Sequence, residues 1–95
     1  MVVSMIQFRL ELAGIESIKD KRRIVSSLKD RLQRKFRLSV AEVDMLDSLQ
    51  YAHIGAAVVS NSRAHGETVL TKALAFVESE APGRLIDTEI FSENY

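Results

Sequence analysis

The chain has 95 residues, 46% of them hydrophobic, with no cysteine, one proline and a formal net charge of zero. This length fits one small domain, 1–95, with a single two-layer core and little room for a large enclosed cofactor site. The absence of cysteine excludes disulfides and thiolate zinc sites. A net charge of zero also argues against a dedicated nucleic-acid binder, because such proteins usually carry a large positive charge.

Alternating apolar and polar side chains predict a first strand from Val2 to Leu12. After a short turn, Ser17 and Asp20 approximate a capping box, so a helix should begin near Ile18. This helix is marked by apolar residues at spacings of three and four, namely Ile24, Val25, Leu28, Leu32 and Phe36. They form one stripe over about five turns, which is the strongest pattern in the chain.

Two strands are predicted after this helix. The first runs from Leu38 to Asp44, and a polar connection, Met45 to Leu49, leads to the second, Gln50 to Ser60. The stretch from Ile54 to Val59 is continuously apolar and small, which is typical of a central strand packed closely against its neighbours.

A second helix and a last strand complete the predicted elements. Ser60-Asn61-Ser62 supplies helix caps, with Asn61 interpreted as the cap, and the helix should end near Glu80. The strand Leu85 to Phe91 follows, and the tail from Ser92 to Tyr95 is expected to fray. Within that strand we expect Ile86, Thr88 and Ile90 on one face and Asp87 and Glu89 on the other.

The order strand, helix, strand, strand, helix, strand is typical of the ferredoxin-like βαββαβ fold. This α+β architecture places both helices on one face of a four-stranded antiparallel sheet. The apolar N-terminal stretch, Met1 to Leu12, is too short to span a bilayer and lacks a preceding basic region. We therefore expect a cytoplasmic protein without membrane contact.

The zero net charge conceals a segregation of charge along the chain. Residues 19–37 contain nine basic and two acidic residues, a charge of +7, whereas residues 38–95 contain three basic and nine acidic residues, a charge of −6. No Glu lies between Ile18 and Val40 to pair with the basic residues at helical spacing. We interpret the helix as a phosphate-binding surface whose contact residues are Lys19, Lys21, Arg22, Arg23, Arg31 and Arg34. A merely solvated face and a protein-binding surface are the alternatives.

No group of residues indicates catalysis, a metal site or a cofactor. His53 and His65 share no metal-ligand spacing with an acidic residue. Glu42 and Asp44 should share one strand face, where two solvent-facing acids explain them better than a hydrolytic pair. We therefore expect a protein that is not an enzyme and needs no cofactor or metal.

The sheet face opposite the helices should be small and apolar at its centre. Its predicted residues are Met5, Tyr51, His53, Gly55, Ala57 and Phe91. Ferredoxin-like sheets often bury this face between two copies, so we expect a homodimer through the open sheet face.

Three stretches resemble the YlxP-like family of small bacterial proteins, a domain of unknown function: Ser17 to Arg22, Ser39 to Val43, and Ile54 to Asn61 followed by His65. The similarity extends from Ile6 to Ile90. It implies a ferredoxin-like fold and a gene neighbourhood with translation initiation and ribosome maturation factors, and it transfers no catalytic residue. Leu49 departs from the family, which often places Trp before the Gln that opens the third strand, whereas the basic start of the helix, Lys19 to Arg23, is intact.

These features favour a non-enzymatic RNA- or ribosome-associated binding protein that contacts phosphates through its first helix. RNA or a ribosomal subunit is the expected partner, in addition to a second copy of the chain. The alternatives are a self-associating scaffold that binds a protein partner, and a protein with no ligand.

Overall fold

The computed structural model describes all residues from Met1 to Tyr95. Its elements are β1 (Val2–Glu11), α1 (Ile18–Phe36), β2 (Ser39–Asp44), β3 (Tyr51–Ser60), α2 (Arg63–Glu80) and β4 (Arg84–Asn94). The strands form one antiparallel sheet in the order β2-β3-β1-β4. The predicted ferredoxin-like fold is confirmed.

The core lies between the helices and one face of the sheet. Alternate residues of β1 are buried there, including Ile6, Phe8 and Leu10. Against them pack the apolar stripes of the helices, Val25, Leu28 and Leu32 from α1 and Leu70, Ala73 and Val77 from α2. Each large aliphatic or aromatic side chain buried in this way contributes about 1.5–3 kcal/mol. The opposite face of the sheet has no helix over it, and neither helix is long and apolar enough to cross a membrane.

Helix α1 is capped at both ends. The Ser17 hydroxyl accepts a hydrogen bond from the Asp20 amide at 3.1 Å. At the other end Arg37 adopts a left-handed conformation, and its amide donates to the Gln33 carbonyl. The helix therefore begins at Ile18, as predicted, and the expected capping contact at Ser17 stabilises this end.

We expect Ser17→Ala to lower the free energy of unfolding by about 1 kcal/mol, because an amide of the first turn loses its acceptor. Urea unfolding followed by circular dichroism measures this change. Ser27→Ala is the matched control, since Ser27 is exposed within α1 and alanine favours a helix interior. Equal stability of the Ser17 and Ser27 variants would contradict a capping role.

A β-bulge in β2 separates two acidic residues that the alternation places together. Glu42 pairs with Ile54 on the helix side, whereas Asp44 pairs with His53 on the open side. The prediction that Glu42 and Asp44 share a face is wrong, because Val43 is an extra residue that shifts the register between them.

A second bulge interrupts β4. Ile86 pairs with Arg9 on the open face, whereas Ile90 pairs with Ile6 on the core side. Asp87 adopts a left-handed φ of 51° inside the bulge. The predicted alternation, which placed Ile86, Thr88 and Ile90 on one face, is therefore wrong.

The C-terminal residues form the end of β4 and do not fray. Ser92 pairs with Ser4, and β4 continues to Asn94. The amide of Tyr95 then donates to the Met1 carbonyl at 2.7 Å. The predicted fraying of residues 92–95 is wrong, because backbone pairing with β1 and the 2.8 Å contact between the Ser4 and Ser92 hydroxyls hold this segment.

Candidate nucleic-acid interface

The solvent side of α1 carries a row of basic side chains. We call Lys19, Arg22, Arg23, Arg31 and Arg34 the basic face. Together with Ser26, Ser27 and Asp30 they line an open, shallow depression that contains no hydrophobic residue. The helix has 19 residues, so it is about 28 Å long at 1.5 Å per residue. That length allows contact with several successive phosphates.

The basic face forms no ion pairs with the rest of the chain. The structure contains three, joining Arg9 to Asp87, Lys21 to Glu42 and Arg84 to Glu11. None uses a residue of the basic face, and Asp30 is the only acid that lines the depression. The positive charges of this surface are therefore not neutralised by neighbouring carboxylates and can attract an external anion.

Lys21 does not belong to this surface. Its side chain is 1% exposed, and its Nζ lies 3.0 Å from Glu42 Oε2 and 2.6 Å from the Met45 carbonyl oxygen. The prediction that Lys21 contacts phosphate is wrong, because its position is in helical register with the buried stripe. It lies four residues before Val25 and seven before Leu28, so periodicity alone could have indicated its burial.

Arg31 is held against α2 by an aromatic ring. Its guanidinium carbon lies 5.7 Å from the centroid of the Phe76 ring, and Lys35 Nζ lies 5.0 Å from the same centroid. Phe36 packs edge-on against Phe76 with 5.7 Å between the ring centroids. Because a cation over an aromatic face is stabilised by the ring, Arg31 is positioned at the side of the depression. Sequence reasoning did not identify this contribution from α2.

The other polar candidates remain apart. His53 lies on the open face of β3, with its Nε2 3.0 Å from Gln7 Oε1, and His65 is exposed in the first turn of α2. No group of three metal-ligating side chains gathers in the structure. Asn61 does not cap α2, because the hydroxyl that accepts the His65 amide, at 3.2 Å, belongs to Ser62.

Most of the chain matches one known protein family. Residues 3–90 match the family described as "Protein of unknown function (DUF503)". The chain is also 38% identical over 63 residues to "Uncharacterized protein YlxP" of Bacillus subtilis (strain 168), and this match covers 66% of the chain and 68% of that protein.

Solved structures resemble the chain at low sequence identity. A putative antibiotic biosynthesis monooxygenase from Deinococcus radiodurans is 14% identical with a TM-score of 0.49, covering 100% of this chain and 92% of that one. The de novo designed protein Ferredog-Diesel is 9% identical with a TM-score of 0.48, covering 97% of this chain and 84% of the design. Likeness at this level carries no inference about activity.

Proposed function

The chain belongs to the DUF503 family of proteins of unknown function, and we propose that it is a non-enzymatic RNA-binding protein that acts through the basic face. The observation that carries this proposal is the set of five cationic side chains without a carboxylate partner. Asp30 lies four residues before Arg34 but forms no ion pair with it. A face that served only solubility would more often pair its bases with acids at this helical spacing.

The chemistry of the basic face suits phosphate groups. Four of its five residues are arginines, whose planar guanidinium groups bind two phosphate oxygens at once. Contacts of this kind set the position of a protein on a nucleic acid without reading its sequence. The remaining surface has an excess of acidic residues and repels a phosphate chain, so RNA contact should be confined to α1.

A salt titration with a labelled single-stranded RNA tests the proposal. If all five residues contact phosphates, the logarithm of the association constant should fall with the logarithm of salt concentration at a slope of about −3.5, or about −0.7 per phosphate. Fluorescence polarisation at several salt concentrations measures this slope. A flat salt response would overturn the proposal.

The double variant Arg22→Glu, Arg23→Glu should reduce the slope to about −2. It should also weaken binding about 25-fold at ~0.1 M salt. Each phosphate contact raises the logarithm of the association constant by about 0.7 when the salt concentration falls from ~1 M to ~0.1 M, and the variant loses two contacts. The matched control is Lys72→Glu, Arg84→Glu, which changes the net charge equally but lies outside α1. The control should retain the slope of the wild type, and equal losses in the two variants would contradict a defined phosphate-binding face.

The translation-linked gene neighbourhood that the resemblance implies makes ribosomal RNA the first natural ligand to test. Wild type and the Lys72→Glu, Arg84→Glu control should sediment with ribosomal subunits or their precursors at physiological salt, and the Arg22→Glu, Arg23→Glu variant should remain in the supernatant. The rival function, a scaffold that binds a protein partner, instead predicts altered self-assembly of the Arg22→Glu, Arg23→Glu variant in the absence of RNA.

A further inference from the structure

The sheet face without helices has a charged half and an apolar half. The charged half contains two ion pairs, Arg9 with Asp87 and Arg84 with Glu11. We call the other end of the same face the apolar half. It consists chiefly of Val3, Met5, Val43, Ala57, Val59 and Phe91. Two acidic residues lie at its border, Glu93, which pairs with Val3, and Glu89, which pairs with Gln7. Exposed apolar surface of this extent on one side of a small protein indicates a binding surface.

A groove of about 310 Å³ crosses the apolar half. Gly55 and Ala57 form part of its lining, with Val43 on one edge strand and Phe91 on the other. Gly55 allows Val43 to lie against the backbone, because a Cβ at this position would be 3.0 Å from Val43 Cγ1. The apolar half therefore presents both a depression and, beside it, an aromatic ring that is 38% exposed.

We propose that the apolar half is the interface of a homodimer, in which Phe91 of each copy packs into the groove of the other. A two-fold contact requires a surface that is complementary to itself, and a groove next to a partly exposed ring meets this requirement. The apolar half has no cation for RNA and no central charge by which a charged partner could be recognised. Two identical copies can therefore meet there without like-charge repulsion at the centre.

The size of the apolar half suits a weak dimer. The apolar half covers about six residues of each of the four strands. With strands about 4.8 Å apart and a rise of ~3.4 Å per residue, its area is about 400 Å² per copy. Two copies would bury about 800 Å², less than the roughly 1,200–2,000 Å² of stable complexes. We therefore expect a dimer that forms with rising concentration and dissociates in the micromolar range.

Dimerisation of this kind leaves the basic face free. Helix α1 packs on the other side of the sheet from the apolar half, so the two copies of α1 in a dimer lie on opposite outer surfaces. The dimer would present two separate phosphate-binding faces, which raises the apparent affinity for an RNA long enough to reach both. The proposal itself does not depend on RNA binding, because it uses none of the same residues.

Sedimentation equilibrium over a range of protein concentrations tests the interface. The wild-type mass should rise from the 10.7 kDa of one copy towards twice that value. Phe91→Glu places two carboxylates in the contact and should abolish the rise, and Val43→Glu should do the same from the other side of the groove. Leu46→Glu is the matched control, because Leu46 is a 56% exposed hydrophobic residue in the β2–β3 connection, and this variant should associate as the wild type does.

A constant mass of one copy for the wild type would overturn the proposal, as would unchanged association of the folded Phe91 and Val43 variants. Circular dichroism confirms that each variant is folded, and if one is not, the other decides. The Arg22→Glu, Arg23→Glu variant should dimerise normally. Loss of RNA binding and loss of dimerisation are therefore distinguishable outcomes.

Discussion

Lys21→Met should lower the free energy of unfolding by about 3 kcal/mol. The change removes the counter-charge of Glu42, whose side chain is only 15% exposed, and an uncompensated buried charge costs about 3–5 kcal/mol. We place the effect at the lower end of this range because Glu42 retains some contact with water. The change also removes the 2.6 Å hydrogen bond to the Met45 carbonyl, which ties the β2–β3 connection to α1.

A double-mutant cycle measures the interaction energy of the ion pair separately from the other effects of each substitution on stability. Lys21→Met combined with Glu42→Leu should recover most of the lost stability, because apolar residues often replace a buried ion pair with little net cost. We expect a coupling energy of at least about 2 kcal/mol between the two positions in urea unfolding, because Glu42→Leu alone also leaves a buried charge unpaired. Arg84→Met, which breaks the exposed pair with Glu11, is the control and should cost less than about 1 kcal/mol. Additive losses from Lys21→Met and Glu42→Leu would show that the pair is not coupled.

Burial of Lys21 shows how sequence reasoning on the site failed. Positive charge predicts six phosphate-contacting residues in α1, and five of these do lie on the solvent side of the helix or at its flank. Lys21 differs because its helical register points it towards β2, where Glu42 lies on the helix side, two residues after the buried Val40. Charge density predicted the surface, and helical register, which places Lys21 in line with Val25 and Leu28, distinguishes the buried cation from the other five.

The fold was predictable where the hydrophobic period was regular. Helix α1 begins at Ile18, as predicted, and ends at Phe36, the last residue of its predicted apolar stripe. The errors fall in β2 and β4, because an alternating pattern cannot indicate where one extra residue enters a strand. The end of β4 was missed for another reason, since Ser92 is buried by pairing with another serine and gives no apolar signal.

The serine pair at this end of the sheet also explains a glycine in the first turn of α2. Ser4 and Ser92 are both buried, and the Ser92 hydroxyl donates to Glu67 Oε2 at 2.6 Å. The Ser4 hydroxyl therefore acts as the donor in its 2.8 Å contact with Ser92. A Cβ on Gly66 would overlap the Ser4 hydroxyl and lie 2.9 Å from Ser4 Cβ, so α2 can approach β1 this closely only with glycine at that position.

Gly66→Ala should accordingly lower the free energy of unfolding by about 3 kcal/mol, at the upper end of the usual cost of overpacking. Helix propensity alone predicts the opposite sign, a gain of about 1 kcal/mol for Ala over Gly, so urea unfolding distinguishes the two effects by direction. Ala75→Gly, at an exposed position of α2, measures the propensity term and should cost about 1 kcal/mol.

Ser4→Gly in the Gly66→Ala background removes both atoms that the new methyl group meets. It should restore at least about 1 kcal/mol relative to Gly66→Ala alone, although glycine in a strand costs about 0.5–1 kcal/mol by itself. A stabilised Gly66→Ala variant would contradict the contact between α2 and β1. If Gly66→Ala is destabilised but Ser4→Gly gives no recovery, the clash lies with Ser60, whose hydroxyl is 3.3 Å from the same Cβ position.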